Sequence, residues 1–124
     1  MIKFVKCTHC GNVVEYINDA GVPVMCCGEK MKELVANTTD AATEKHVPVA
    51  TLNGNVLHVE VGSVMHPMTE AHSILFVILV TDKSVRRVNF EPTDVPVATF
   101  NIEGEKPLKV YVFCNLHGLW VKEL

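Results

Sequence analysis

No apolar run in this chain approaches a membrane span: the longest, Ile74 to Val80, falls far short of the roughly 20 residues a bilayer core requires. A basic cluster is also missing. Lysine and arginine number 11 against 14 aspartates and glutamates, a formal net charge of -3, which removes the electrostatic case for nucleic-acid binding. The opening residues, Met1 to Cys7, hold no apolar leader, so a cytoplasmic protein is expected. There is no internal repeat, no low-complexity tract and hardly any helical period. The 5 cysteines cannot all pair, and two of them are adjacent, which argues against a disulfide framework.

What is present is a globular composition, 48% hydrophobic and 20% charged over 124 residues, enough for one ordinary domain or a small one joined to a larger one. Cys7, Cys10, Cys26 and Cys27 crowd the start, and Cys114 stands alone near the end. Short strands are expected at Ile2–Lys6, Asn12–Ile17 and Val22–Met25, joined by knuckles at Cys7-Thr8-His9-Cys10-Gly11 and Cys26-Cys27-Gly28. The glycine after Cys10 lets the backbone turn so that amides face the sulfurs. A segment of about 35 residues cannot stabilise itself by apolar burial alone, and a metal is the expected staple.

The polar stretch Asn37-Thr38-Thr39-Asp40 marks the expected boundary between residues 1–36 and 37–124. Asp40 is expected to cap a short helix through Ala41, Ala42 and Thr43, ending near Glu44-Lys45. Beyond it the pattern is β: alternation over Val56–Val61, a continuous apolar run over Ser73–Thr81, then Val85–Phe90, Val97–Glu103, Leu108–Phe113 and Leu119–Lys122. Short strands at this spacing, separated by Pro92, Asp94, Gly104 and Pro107, predict an antiparallel sandwich.

Two ligand sets follow. Four thiolates suit zinc or iron, and the adjacent pair Cys26-Cys27 argues for a distorted, redox-active iron over an ordinary zinc ribbon. His9 sits inside that knuckle and is expected to be exposed and not a ligand. The second set is His46, His66, His72, Cys114 and His117, placed beside proline, glycine or strand-end signals. One soft sulfur with several imidazoles suits iron or copper, whereas hard ions call for carboxylates. His58 lies mid-strand on the polar face and is expected to be an ordinary surface residue. The amides of Asn115 and Leu116 are expected to hydrogen-bond the Cys114 sulfur. Trp120 and Phe113 read as core or site-wall residues, and Met65 and Met68 as packing.

These motifs, the four-cysteine opening, Asp40-Ala41-Ala42, Glu44-Lys45-His46-Val47-Pro48-Val49, His66-Pro67-Met68, Glu70-x-His72 and Cys114-Asn115-Leu116-His117-Gly118-x-Trp120, closely resemble the desulfoferrodoxins, the two-iron form of superoxide reductase. The resemblance covers the whole chain and departs at no ligand position. It implies a mainly β protein, a desulforedoxin-like domain holding a four-cysteine iron followed by an immunoglobulin-like sandwich. It implies a second iron held by four equatorial imidazoles and an axial cysteine, with one position open to superoxide. It further implies that Lys45 attracts superoxide and assists protonation, and that Glu44 closes on the open position of the oxidised iron. A rubredoxin-like electron donor and a homodimer belong to the same picture. Two rivals come from other classes, a blue-copper electron carrier and an interaction module bearing a zinc knuckle. The copper reading lacks a methionine after Cys114, and the module leaves the gathering of four histidines as coincidence.

Overall fold

The computed structural model describes residues 2–124 and contains two compact units, Met1–Val35 and Ala36–Leu124. In the first, β1 (Phe4–Lys6) lies between β2 (Val13–Glu15) and β5 (Lys32–Glu33), antiparallel to both. A separate hairpin pairs β3 (Met25–Cys26) with β4 (Glu29–Lys30). Burial is thin, with Phe4, Val5 and Cys7 at 2–3% exposure while Val22 and Met25 are mostly exposed. The strand expected over Val22–Met25 is absent before Met25. Pro23 removes a ladder donor there, and the partner strand β4 reaches only Met25 and Cys26. The strand expected over Asn12–Ile17 shortens to Val13–Glu15 because its partner β1 is itself three residues long.

The second unit opens with a single helical turn, α1 (Thr43–His46), followed by β6 (Pro48–Asn53), β7 (Val56–Val61), β8 (Ile74–Thr81), β9 (Val85–Asn89), β10 (Val97–Asn101), β11 (Pro107–Cys114) and β12 (Gly118–Glu123). They form two antiparallel sheets, ordered β10-β7-β6 and β12-β11-β8-β9. This is the antiparallel sandwich expected from the sequence. Their facing sides meet in one core that includes Leu57, Val59 and Val61 from β7, Val77 and Leu79 from β8, Phe100 from β10 and Val110 and Val112 from β11. The alternating residues of β7 supply that core as a period of two requires. β8 is buried along almost its whole length, as its continuous apolar run demands.

Two local expectations change. The helix begins later than expected: Ala42 occupies the N-cap position without a side-chain cap bond, and Asp40 is not its cap. The turn instead runs into His46 and stops because Val47, which precedes Pro48, takes the extended conformation that proline imposes on its neighbour. β6 was not expected as a strand. It pairs along its whole length with β7 across the two-residue turn Gly54-Asn55, with Gly54 at φ 62. That Gly-Asn pair between two alternating runs is a hairpin signal in the sequence itself.

Candidate metal centres

The turn of α1 aims His46 inward. Its Nδ1 donates to the carbonyl of Ala42 at 2.7 Å, so Nε2 carries the free lone pair. His66 follows β7 on a tight loop and is fixed in the same way, Nδ1 donating to Pro67 O at 2.7 Å. His72 immediately precedes Ser73 and β8, while Cys114 ends β11 and His117 sits in the turn to β12. His46 and His66 thus come from the ends of one sheet, and His72, Cys114 and His117 from the ends of the other.

The four imidazoles form a closed ring in the order His46, His66, His72, His117. Successive centroids lie 4.7, 4.6, 5.0 and 4.9 Å apart, each pair edge to face. His46 and His72, opposite one another, are 6.4 Å apart and tilted by only 31°. His46 Nε2 lies 3.1 Å from both His66 Nε2 and His117 Nδ1. Neighbouring ligands of a square plane with bonds of about 2.1 Å would be separated by about 3.0 Å. His72 Nε2 is buried and has no hydrogen-bond partner among the described residues. An orphaned buried acceptor is costly unless something binds it. Cys114 Sγ lies 3.9 Å from His117 Nδ1, and the donor atoms of all five residues fall within 4.8 Å of one another. The residues therefore fit a square of imidazoles with one thiolate, a donor set for iron.

Burial holds the imidazoles of His46 and His72 below the usual histidine range and takes His66 down to about 4, so these three are neutral donors at pH 7. Burial pushes the Cys114 thiol up, opposed by backbone amides of His117 and Leu116. The Leu116 amide is as expected; the Asn115 amide is not, because it donates to Ser73 O at 3.2 Å. Trp120 does more than line the wall. Its indole stacks on His46 at 4.9 Å and Nε1 donates to His117 O at 3.0 Å. A buried indole N–H needs an acceptor, and a lone tryptophan three residues after a ligand histidine is the signal for that contact.

Glu44 and Lys45 are exposed on α1, beside His46. The Lys45 charge acts on both His46 and His72, lowering their proton affinity. Glu44 O accepts from Val64 N at 2.9 Å and from Ser63 Oγ at 3.2 Å. Gly62 packs so closely below this turn that a Cβ there would lie 2.6 Å from Glu44 O and 2.9 Å from Val47 O.

In the first unit the sulfurs of Cys7, Cys10, Cys26 and Cys27 also fall within 4.8 Å of one another. Cys10 Sγ and Cys26 Sγ are 3.6 Å apart, close to the edge of about 3.8 Å that a tetrahedron with 2.3 Å bonds would have. The Cys10 amide approaches Cys7 Sγ and the Asn12 amide approaches Cys10 Sγ, each at 3.5 Å. The amides of Cys10 and His9 bring the Cys7 thiol down to about 6, while the crowding sulfurs of Cys7, Cys10 and Cys26 push Cys27 up to about 12. Four thiolates at these separations need a cation. Cys27, the second of the adjacent pair, adopts a left-handed φ of 52, and both sulfurs of the pair lie in the cluster. His9 is exposed, 3.0 Å from Glu29, and outside the cluster; His58 pairs with Glu60 at 3.1 Å.

The desulfoferrodoxin family profile matches residues 38–123. A desulfoferrodoxin of Syntrophotalea carbinolica is 45% identical over 123 residues, covering 98% of this chain and 96% of the relative. One from Nitratidesulfovibrio vulgaris is 45% identical over 118 residues, covering 95% and 93%. The solved superoxide reductase of Treponema pallidum superposes with a TM-score of 0.82 at 35% identity and covers 99% of both chains. Fold and ligand set together define a superoxide reductase, an oxidoreductase acting on superoxide. The chain belongs to the desulfoferrodoxin family, and its two ligand groups match the two iron sites of that family.

Proposed function

We propose that this chain reduces superoxide to hydrogen peroxide without releasing oxygen, at the centre formed by His46, His66, His72, His117 and Cys114. The observation that carries it is the closed ring of imidazoles around a shared point, with the buried Nε2 of His72 left without a partner among the described residues. His46, His66, His72, His117 and Cys114 would hold iron, which would supply the single electron that superoxide takes up, an outside donor replacing it. The chain holds the imidazoles edge to face, keeps the non-ligating nitrogens of His46 and His66 on Ala42 O and Pro67 O, and tunes the Cys114 sulfur through the Leu116 and His117 amides. Lys45 attracts the anionic substrate and assists protonation, and Glu44, exposed on the same turn, would supply a carboxylate to the oxidised iron.

Residues 1–36 act as a desulforedoxin-like unit with iron on Cys7, Cys10, Cys26 and Cys27, and residues 37–124 as the catalytic sandwich. A rubredoxin-like protein is the electron donor, and the protein works as a cytoplasmic homodimer. No helix among the described residues is long and apolar enough to cross a membrane.

The test is the stoichiometry of the iron-loaded protein with a reductant. One peroxide per superoxide and no oxygen is the expected result. Oxygen evolution matching peroxide formation, with no reductant added, would overturn the reductase assignment.

A further inference from the structure

Asn115 commits every polar group it has, apart from its carbonyl, to the short segment carrying His72. Its side-chain Oδ1 accepts from the Ser73 amide at 3.0 Å, and Nδ2 donates to the Ala71 carbonyl at 3.0 Å. Its backbone amide donates to Ser73 O at 3.2 Å. The three bonds grip the residues immediately before and after His72, and none reaches His72 itself. Asn115 also directly follows Cys114, so one residue ties the loop of the sulfur to the loop of one imidazole. His46 and His66 have their ring nitrogens anchored on carbonyls, at Ala42 and Pro67. For His72 no such ring anchor is found among the described residues, and its Nε2 is the orphan. Its backbone is otherwise held by Thr69, which accepts from the His72 amide at Oγ1, 3.1 Å away.

We propose that Asn115 is a positioning residue that holds His72 in the square of imidazoles and fixes its angle to Cys114. The ring anchors of the other two histidines are here replaced by a grip on the backbone either side of the ligand. Removing it frees the 71–73 segment to rotate, so the metal loses a correctly aimed donor while the other four stay in place.

This inference rests on the reading of His72 as a ligand, and the experiment separates the two. Zinc, which is redox-inert, is titrated into the metal-free full chain in competition with a chromophoric chelator, and the ferric protein is examined by its visible spectrum and electron paramagnetic resonance. His72→Ala tests the ligand reading: unchanged zinc affinity and spectrum would overturn that reading. Asn115→Ala is expected to weaken the sandwich site by about 10–100-fold, the usual cost of losing an outer-shell partner. It should also alter the thiolate-to-iron band and leave the four-sulfur bands unchanged. In the His72→Ala background it should add nothing, because it acts only through His72. Native affinity and spectrum in Asn115→Ala, or an equal loss on top of His72→Ala, would overturn the proposal. Should the alanine variant fail to fold, Asn115→Asp serves instead. It keeps the acceptor for Ser73 and sets an oxygen against Ala71 O, while its added negative charge would by itself favour the cation. Affinity below native is expected, and affinity at or above native would overturn the proposal.

Discussion

Trp120 touches two ligands at once, its ring lying on that of His46 at 4.9 Å and 21° while its N–H holds the carbonyl of His117 at 3.0 Å. The two histidines are 71 residues apart in sequence and neighbours in the ring. The indole, buried at 3% exposure, therefore fixes one of the two edges of the square that join the sheets, the other being His66–His72.

Trp120→Phe keeps an aromatic face against His46 and loses the bond to His117 O. The expected outcome is a loss of roughly 10–100-fold in metal affinity at the sandwich site, with little change in the melting temperature of the metal-free protein. Trp120→Ala also opens a cavity and should cost about 3–5 kcal/mol of stability. Chelator competition and denaturant unfolding distinguish the two effects.

Cys10→Ser removes one sulfur from the first cluster and none from the second. The four-sulfur visible bands should disappear while superoxide consumption by the reduced protein persists. Simultaneous loss of both signals would show that the two centres are not independent.

Lys45→Ala should slow the bimolecular reaction with superoxide and flatten its dependence on ionic strength. At about 6 Å and an effective dielectric of about 20–80, a unit charge is worth roughly 1–3 kcal/mol before screening. A several-fold to hundred-fold fall in second-order rate is expected in pulse radiolysis at low salt. An unchanged rate and salt slope would reduce Lys45 to a solvated surface charge.

The metal-free protein should lose stability on mild acidification. His66 binds its proton near 6.5 when unfolded and near 4 when folded, because burial disfavours the imidazolium. The unfolded chain therefore takes up the proton first. This histidine's contribution is fully present above pH 6.5 and is lost as pH falls from 6.5 towards 4. Denaturant midpoints of the metal-free protein across that range should fall, and His66→Gln should flatten the dependence.

Much of this arrangement is legible in the sequence because its signals are local. The alternation of Val56–Val61, the unbroken run of β8 and the Cys-x-x-Cys knuckle each follow from a short window. The ligand histidines stand beside breakers that end elements, which is where a scaffold aims side chains. What stays hidden is non-local or depends on competition between partners. The helix start shifts because no side chain caps it, and the extended state of Val47 before Pro48 sets where it ends. The Asn115 amide turns to Ser73 instead of the sulfur because the β8 and β11 segments run side by side, a pairing no single window reveals. The conformation of Cys27 is equally invisible, since a left-handed cysteine has no signature in composition.

The two centres differ in how portable they are. All four sulfurs of the first lie between Cys7 and Cys27, within a unit that ends at Val35, so the whole centre travels with one short stretch of chain. The second cannot be transplanted as a segment. A graft of residues 114–118 carries one sulfur and one imidazole, and the opposite edge of the square, His46 and His66, belongs to the ends of another sheet. Any scaffold that is to receive this chemistry must bring two packed sheets whose ends already face each other. The inheritable unit of the reductase site is the whole end of a sandwich.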